Sequence, residues 1–161
     1  MIYSFDELNP LSRVWVFQSD RLLTSEEVIL IEAEVASFMA NWATHGVPLC
    51  ASFVVRNNCS VLVAVDESVQ VASGCSISAL TALFETIGDK MQVSFFDRFS
   101  IAFKNEEKLV VCSVNEFKDF IKSGIVTETS LVYNNLVSVK QDLESKWELP
   151  LKDSWQKRYL N

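Results

Sequence analysis

Residues 49–65 read LCASFVVRNNCSVLVAV, two apolar runs on either side of Arg56-Asn57-Asn58. Leu49–Val55 and Cys59–Val65 are short, rich in valine and bounded by polar residues, so each reads as a strand. Asparagine tolerates the left-handed backbone of a tight turn, and Arg56-Asn57-Asn58 therefore predicts a hairpin between them.

A hairpin needs apolar cover, and the flanking sequence supplies it. Upstream, Arg13–Ser19 (RVWVFQS) reads as a further buried strand. Thr24 and Glu27 form a capping box, in which the hydroxyl meets the Glu27 amide and the carboxylate reaches back. The helix it opens carries Val28, Ile31, Val35, Phe38, Met39 and Trp42 on one stripe, with His45-Gly46 and Pro48 closing it. Downstream of Asp66-Glu67-Ser68, a second helix begins near Ser76 or Ser78. It carries Ile77, Leu80, Leu83, Phe84 and Ile87, and ends at Gly88.

Gln92–Lys104 alternates Val93, Phe95, Phe99, Ile101 and Phe103 like a half-buried strand, with Asp97 out of character in the same phase. Either a bulge or break at Phe96-Asp97-Arg98 turns the carboxylate outward, or Asp97 is buried with a partner; the cost of an unpaired buried carboxylate favours the break. Lys108–Cys112 is the next strand. Ser113 and Glu116 make a second capping box, and that helix stops at Gly124. Val132, Leu136, Val139 and Leu143 predict a last helix over Ser130–Trp147, followed by an irregular tail, 148–161.

The order β-α-β-β-α-β-β-α-α indicates one α+β domain over residues 1–161. Its first six elements match a split β-α-β arrangement, so the expected core is a ferredoxin-like antiparallel sheet with an extra strand and C-terminal helices. At 161 residues and 49% apolar, the chain can build that core without metals or disulfides.

Charge narrows the function. With 21 acidic against 14 basic residues the net charge is −7, and no basic cluster offers a footprint for phosphates or an anionic membrane. Met1–Glu7 has neither a basic segment nor an apolar one, so no signal peptide is expected. Glu32 and Glu34 interrupt the longest apolar stretch, so no membrane span is expected. The four cysteines form no C-x-x-C pair and there is one histidine, so no metal site or cofactor is expected. Free thiols in a reducing cytoplasm are.

Phosphate-cradling loops need several glycines, and neither G-x-x-x-x-G-K-[ST] nor G-x-G-x-x-G occurs among the four present. P-loop nucleotide hydrolysis is thereby excluded. Three candidate sites are left. Cys75, in Ser73-Gly74-Cys75-Ser76, would sit at the positive end of a helix, with His45 as its base and Asp66 orienting the imidazole. Set against that, Cys75 can be a compact packed residue, and His45 a helix-terminal residue beside Gly46. The same turn can hold a small anion through Ser73, Gly74 and Ser76. Asp66 and Glu67 suit a solvated loop better than a metal or acid/base pair. In the tail, Trp155, Arg158 and Tyr159 either anchor a partner or fold back on their own domain.

Five segments together resemble a family of short bacterial proteins labelled "ABC transporter ATPase": residues 13–21 (RVWVFQSDR), His45-Gly46, Val65-Asp66-Glu67-Ser68, residues 72–77 (ASGCSI) and Lys152-Asp153-Ser154-Trp155. The label requires Walker motifs that this chain lacks, so the resemblance implies an unassigned function and no catalytic residue. The expectation is a non-enzymatic cytoplasmic binding or interaction protein, meeting a protein partner or forming a homodimer. The alternatives are a thiol enzyme or sensor using Cys75 with His45, and a small-anion binder at Ser73–Ser76.

Overall fold

Ser60–Val65 is buried at every position, which only a strand covered on both faces can be. The computed structural model, which describes residues 3–161, shows how that cover is built. Met1 and Ile2, part of the N-terminus read above for a signal peptide, lie outside the described residues.

In chain order the elements are β1 (Arg13–Gln18), α1 (Ser25–Met39), the two-residue strands β2 (Ala43–Thr44) and β3 (Val47–Pro48), β4 (Ala51–Arg56), β5 (Ser60–Val65) and α2 (Gly74–Met91). Then follow β6 (Ser100–Asn105), β7 (Lys108–Ser113), α3 (Val114–Lys122), β8 (Leu131–Tyr133) and β9 (Glu148–Pro150). The β4–β5 hairpin forms as its sequence predicts: Arg56 pairs with Ser60, and Asn57 and Asn58 take φ of 58° and 51°. β5 pairs antiparallel with β1 on its other edge, giving the order β1-β5-β4.

That order is the one a split β-α-β unit requires, but the ferredoxin-like sheet does not close. Its fourth strand, expected within Gln92–Lys104, starts only at Ser100 and enters a separate sheet of order β7-β6-β8-β9. Asp97 is the cause. Its Oδ1 accepts the Phe99 N–H at 2.8 Å and its Oδ2 the Ser100 hydroxyl at 3.2 Å, a turn that breaks the strand and keeps the carboxylate outside. The β1 edge is met instead by residues 138–139, through Val14 N–H to Ser138 O at 2.9 Å. The chain is an α+β protein of antiparallel sheets.

The strand pleat sorts the core into three clusters. Val61, Val63 and Val65 join Phe17, Ile31, Val35, Leu80, Phe84 and Ile87 beneath α1 and α2. Leu62, Ala64 and Val14 face the other way, against Ala102 and Tyr133 of the second sheet and Trp147 beside it. The far face of that sheet, Ile101, Phe103 and Val132, packs on Phe117 of α3 and on Leu151. Two sheets thus lie face to face between helical layers.

Both capping boxes form, at Thr24/Glu27 and Ser113/Glu116. Three helix ends and one whole helix differ from expectation. α1 stops at Met39, because Trp42 turns across to donate its indole N–H to Ser76 O at 2.9 Å. His45-Gly46 closes no helix; at φ 52° and 81° it is the two-residue turn of the β2–β3 hairpin, where both residues need positive φ. α2 begins one turn early, capped by Ser73, and runs past Gly88 to Met91, with Gln92 taking the left-handed position. Over Ser130–Trp147 there is no α-helix: 131–133 is a strand, and 140–147 forms short 3₁₀ and π turns. The tail is likewise not irregular, since 148–150 pairs with β8 and 151–160 forms 3₁₀ turns.

Candidate functional site

The pleat that sends Trp15 and Phe17 of β1 toward the helices sends Val14, Val16 and Gln18 toward the second sheet. Beyond Val16, where the strand broken at Asp97 re-enters as β6, the two sheets leave a cleft of about 470 Å³. Val16, Phe95, Ile101, Ala102 and Tyr133 make its walls. Phe96, Leu136 and Trp155 line it while staying 44%, 73% and 37% exposed, so its mouth is apolar and open to solvent.

The polar groups of the cleft are few and mostly tethered. Asp97 spends both oxygens on its own turn. Asn135 links two layers: Trp147 Nε1–H donates to its Oδ1 at 3.0 Å, and its Nδ2 donates to Gln18 Oε1 at 2.7 Å. Gln156, buried behind Trp155, donates to Tyr133 O at 2.8 Å and is also bonded to the Ser154 hydroxyl. Burial, then a 2.8 Å hydrogen bond to Glu148, pushes the Tyr133 phenol far above its ordinary range, so it stays neutral. Arg98, exposed on the lining, is in no ion pair among the described residues.

Of the site residues singled out from sequence, Trp155 alone lines the cleft, and the others lie elsewhere. Cys75 is exposed in the first turn of α2, and His45 is exposed in the hairpin turn. The hairpin does reach α2, because Thr44 Oγ1 accepts the Ser73 N–H and lies 3.2 Å from Ser76 Oγ. No hydrogen bond among the described residues joins Cys75, His45 and Asp66, however. Asp66 Oδ1 is taken by the amide and hydroxyl of Ser68, at 3.0 and 2.6 Å. At the expected anion turn, the Ser76 amide is bound by Ser73 Oγ and the Ser76 hydroxyl by Ser73 O, which leaves Gly74 and Cys75 at the exposed edge.

The tail divides. Trp155 stands at the cleft mouth, whereas Tyr159 packs edge-on against Phe117 at 6.3 Å and Arg158 stays exposed beside it. Among the described residues no three His, Cys, Asp or Glu side chains converge, and no helix is long and apolar enough to cross a membrane.

Sequence reasoning missed Gln18, Arg98 and Asn135. Gln18 carried a signal: it is the one polar residue in phase with Val14 and Val16 on a strand read as buried, and a buried amide demands partners. Arg98 and Asn135 carried none, since only the tertiary fold places them on one lining with Gln18. No family model, no curated protein and no solved structure matches the chain.

Proposed function

We propose that this chain is a non-enzymatic binding protein whose site is the cleft between the two sheets. One observation carries the reading: a concave, mostly apolar space of about 470 Å³ with an open mouth and a few fixed polar groups, the form that small-molecule sites take. The lining contains neither Cys nor His, and its carboxylate is committed to a turn, so the cleft is furnished for holding rather than for proton or acyl transfer. Four free cysteines suit work in a reducing cytoplasm. The five-segment resemblance rests on the sequence alone and assigns no residue a role.

The neutral probe 2-(1-naphthyl)ethanol tests the reading by amide NMR of the full chain. Binding should shift the signals of Phe96, Ala102, Asn135 and the Trp155 indole together, and Leu136→Glu at the exposed mouth should weaken it. Shifts confined to other surfaces, or none up to the solubility limit, would overturn the cleft as the site.

The self-association expected from sequence has the same apolar mouth as its surface, where Leu136 is the most exposed of the large apolar residues. Sedimentation of the wild type and Leu136→Glu decides this second reading. A dimer that the substitution dissociates supports it, and a monomer at every concentration sinks it.

A further inference from the structure

The cleft holds a hydrogen-bond donor that the fold leaves unused, and the direction of that donor is set by the groups behind it. The Trp147 indole can only donate, so the Asn135 atom facing it must be Oδ1. That turns Asn135 Nδ2 toward Gln18, whose facing atom must then be the acceptor Oε1. Gln18 Nε2 is left at the end of the relay with two N–H groups and no hydrogen-bond partner among the described residues. The side chain is nine-tenths buried, at 9% exposed, and its backbone is held in register with Ser60. Nε2 is not sealed from solvent, since among the described residues Ser12 Oγ is the one buried side-chain nitrogen or oxygen without a partner. Gln18 lines the cleft, so the way to its amide runs through the cleft. Water meets that donor while the cleft is empty, and an acceptor on a ligand that displaces the water takes over its hydrogen bond.

Arg98 lies on the same lining with a second set of unused donors and a positive charge. The adjacent Asp97 keeps its negative charge, but it forms no ion pair with Arg98, its two oxygens accepting hydrogen bonds within its own turn. The flanking walls are aromatic: Phe95, Phe96, Tyr133 and Trp155. Donors without acceptors, one cation and aromatic surfaces together describe the complement of a planar acid.

We propose that the cleft binds an aromatic carboxylate, its oxygens taking hydrogen bonds from Gln18 Nε2 and the Arg98 guanidinium while its ring packs among Phe95, Phe96 and Trp155. This rests on the reading of the cleft as a binding site and adds the chemical class of ligand. A space of about 470 Å³ accommodates an acid of one or two rings.

The test compares 1-naphthylacetate with 2-(1-naphthyl)ethanol, which share the ring and differ in charge, by calorimetry and amide NMR on the full chain. The wild type should bind the acid at least ~10-fold more tightly, the discrimination typical of charge-assisted hydrogen bonds. Gln18→Glu keeps an oxygen for Asn135 Nδ2 but replaces the free donor with an acceptor. It should abolish the preference for the acid and leave the alcohol within ~2-fold of wild type. Arg98→Gln, a surface change that spares the fold, should weaken the acid by ~3- to 10-fold and flatten its salt dependence. It should not alter binding of the alcohol. Equal wild-type affinity for the two probes would overturn carboxylate recognition while leaving the cleft a binding site. An acid preference that survives both substitutions would overturn the assignment to Gln18 and Arg98. Failure of both probes to bind would overturn the binding reading itself.

Discussion

Replacing Gly88 by alanine sets two known effects against each other inside α2, and the structure decides between them. Alanine in a helix is favoured over glycine by about 1 kcal/mol, so propensity alone predicts a more stable protein. The Cβ, however, would lie 2.6 Å from Val93 O, with Phe95 Cδ2 at 3.8 Å. The obstacle is backbone, pinned by the Val93 N–H to Gly88 O bond of 3.0 Å, and Phe95 behind it is buried edge-on against Phe84. Relieving the contact means moving the 88–93 turn. Overpacking of that kind costs roughly 1–3 kcal/mol, and loss of the turn hydrogen bond adds about 1 kcal/mol. The net is a destabilisation of roughly 1–3 kcal/mol, a fall in Tm of about 3–10 °C for a chain of this size. Gly74 is the internal control. It is also in α2, has no positive φ and has nothing within 4 Å of its Cβ position; Gly74→Ala should therefore raise stability, by up to about 1 kcal/mol. Thermal melts followed by circular dichroism measure both. A rise in Tm for Gly88→Ala would refute the reasoning, since it would show that the helix end yields more cheaply than its packing implies.

Cys75 is exposed, whereas burial pushes the thiols of Cys59 to about 11 and Cys112 to about 12, and raises Cys50 with help from Asp66. Iodoacetamide near pH 8 should therefore modify Cys75 first and the other three only as the protein unfolds, as read by mass spectrometry. His45→Ala should leave the Cys75 rate unchanged; a clear slowing would revive the thiol-enzyme reading. At the other end of α1, the bidentate Arg21 ion pair, then the Thr24 amide, hold the Glu27 carboxyl at about 2 against an ordinary 4.5. Because that pKa is depressed on folding, its stabilisation is present above the unfolded value and is lost as pH falls from about 4.5 toward about 2. Arg21→Gln should cost on the order of 1 kcal/mol at neutral pH, since the arginine side chain is 42% exposed and the pair is screened by solvent. Its Tm deficit should shrink as the pH is lowered through that window, and a deficit independent of pH would exclude the linkage.

What could be read from the chain itself was what neighbours in sequence decide. The capping boxes at Thr24 and Ser113 are three-residue reciprocal contacts, and both form as read. Asn57-Asn58 is a turn because its own side chains tolerate positive φ, and Asp97 breaks a strand through bonds to Phe99 and Ser100. Where partners lie far apart in sequence, the local signal misled. Val132, Leu136, Val139 and Leu143 recur like a helix stripe, yet Val132 pairs with Phe103 in a sheet and Leu136 is exposed at the cleft. His45-Gly46 and Gly88 carry the mark of helix ends; one proved to be a hairpin turn, the other a place where Val93 folds back.

The sequence by itself determined β1, β4 and β5, the two capping boxes, the Asn57-Asn58 turn, the break at Asp97 and the acidic charge of the chain, because backbone dihedrals and short-range hydrogen bonds are settled within a few residues. Only the tertiary structure decided that β6 leaves the first sheet, that the two sheets face each other, and that Gln18, Arg98 and Asn135 meet at one cleft. Those outcomes depend on which apolar faces bury each other across the whole chain, and that is not a property of any one segment.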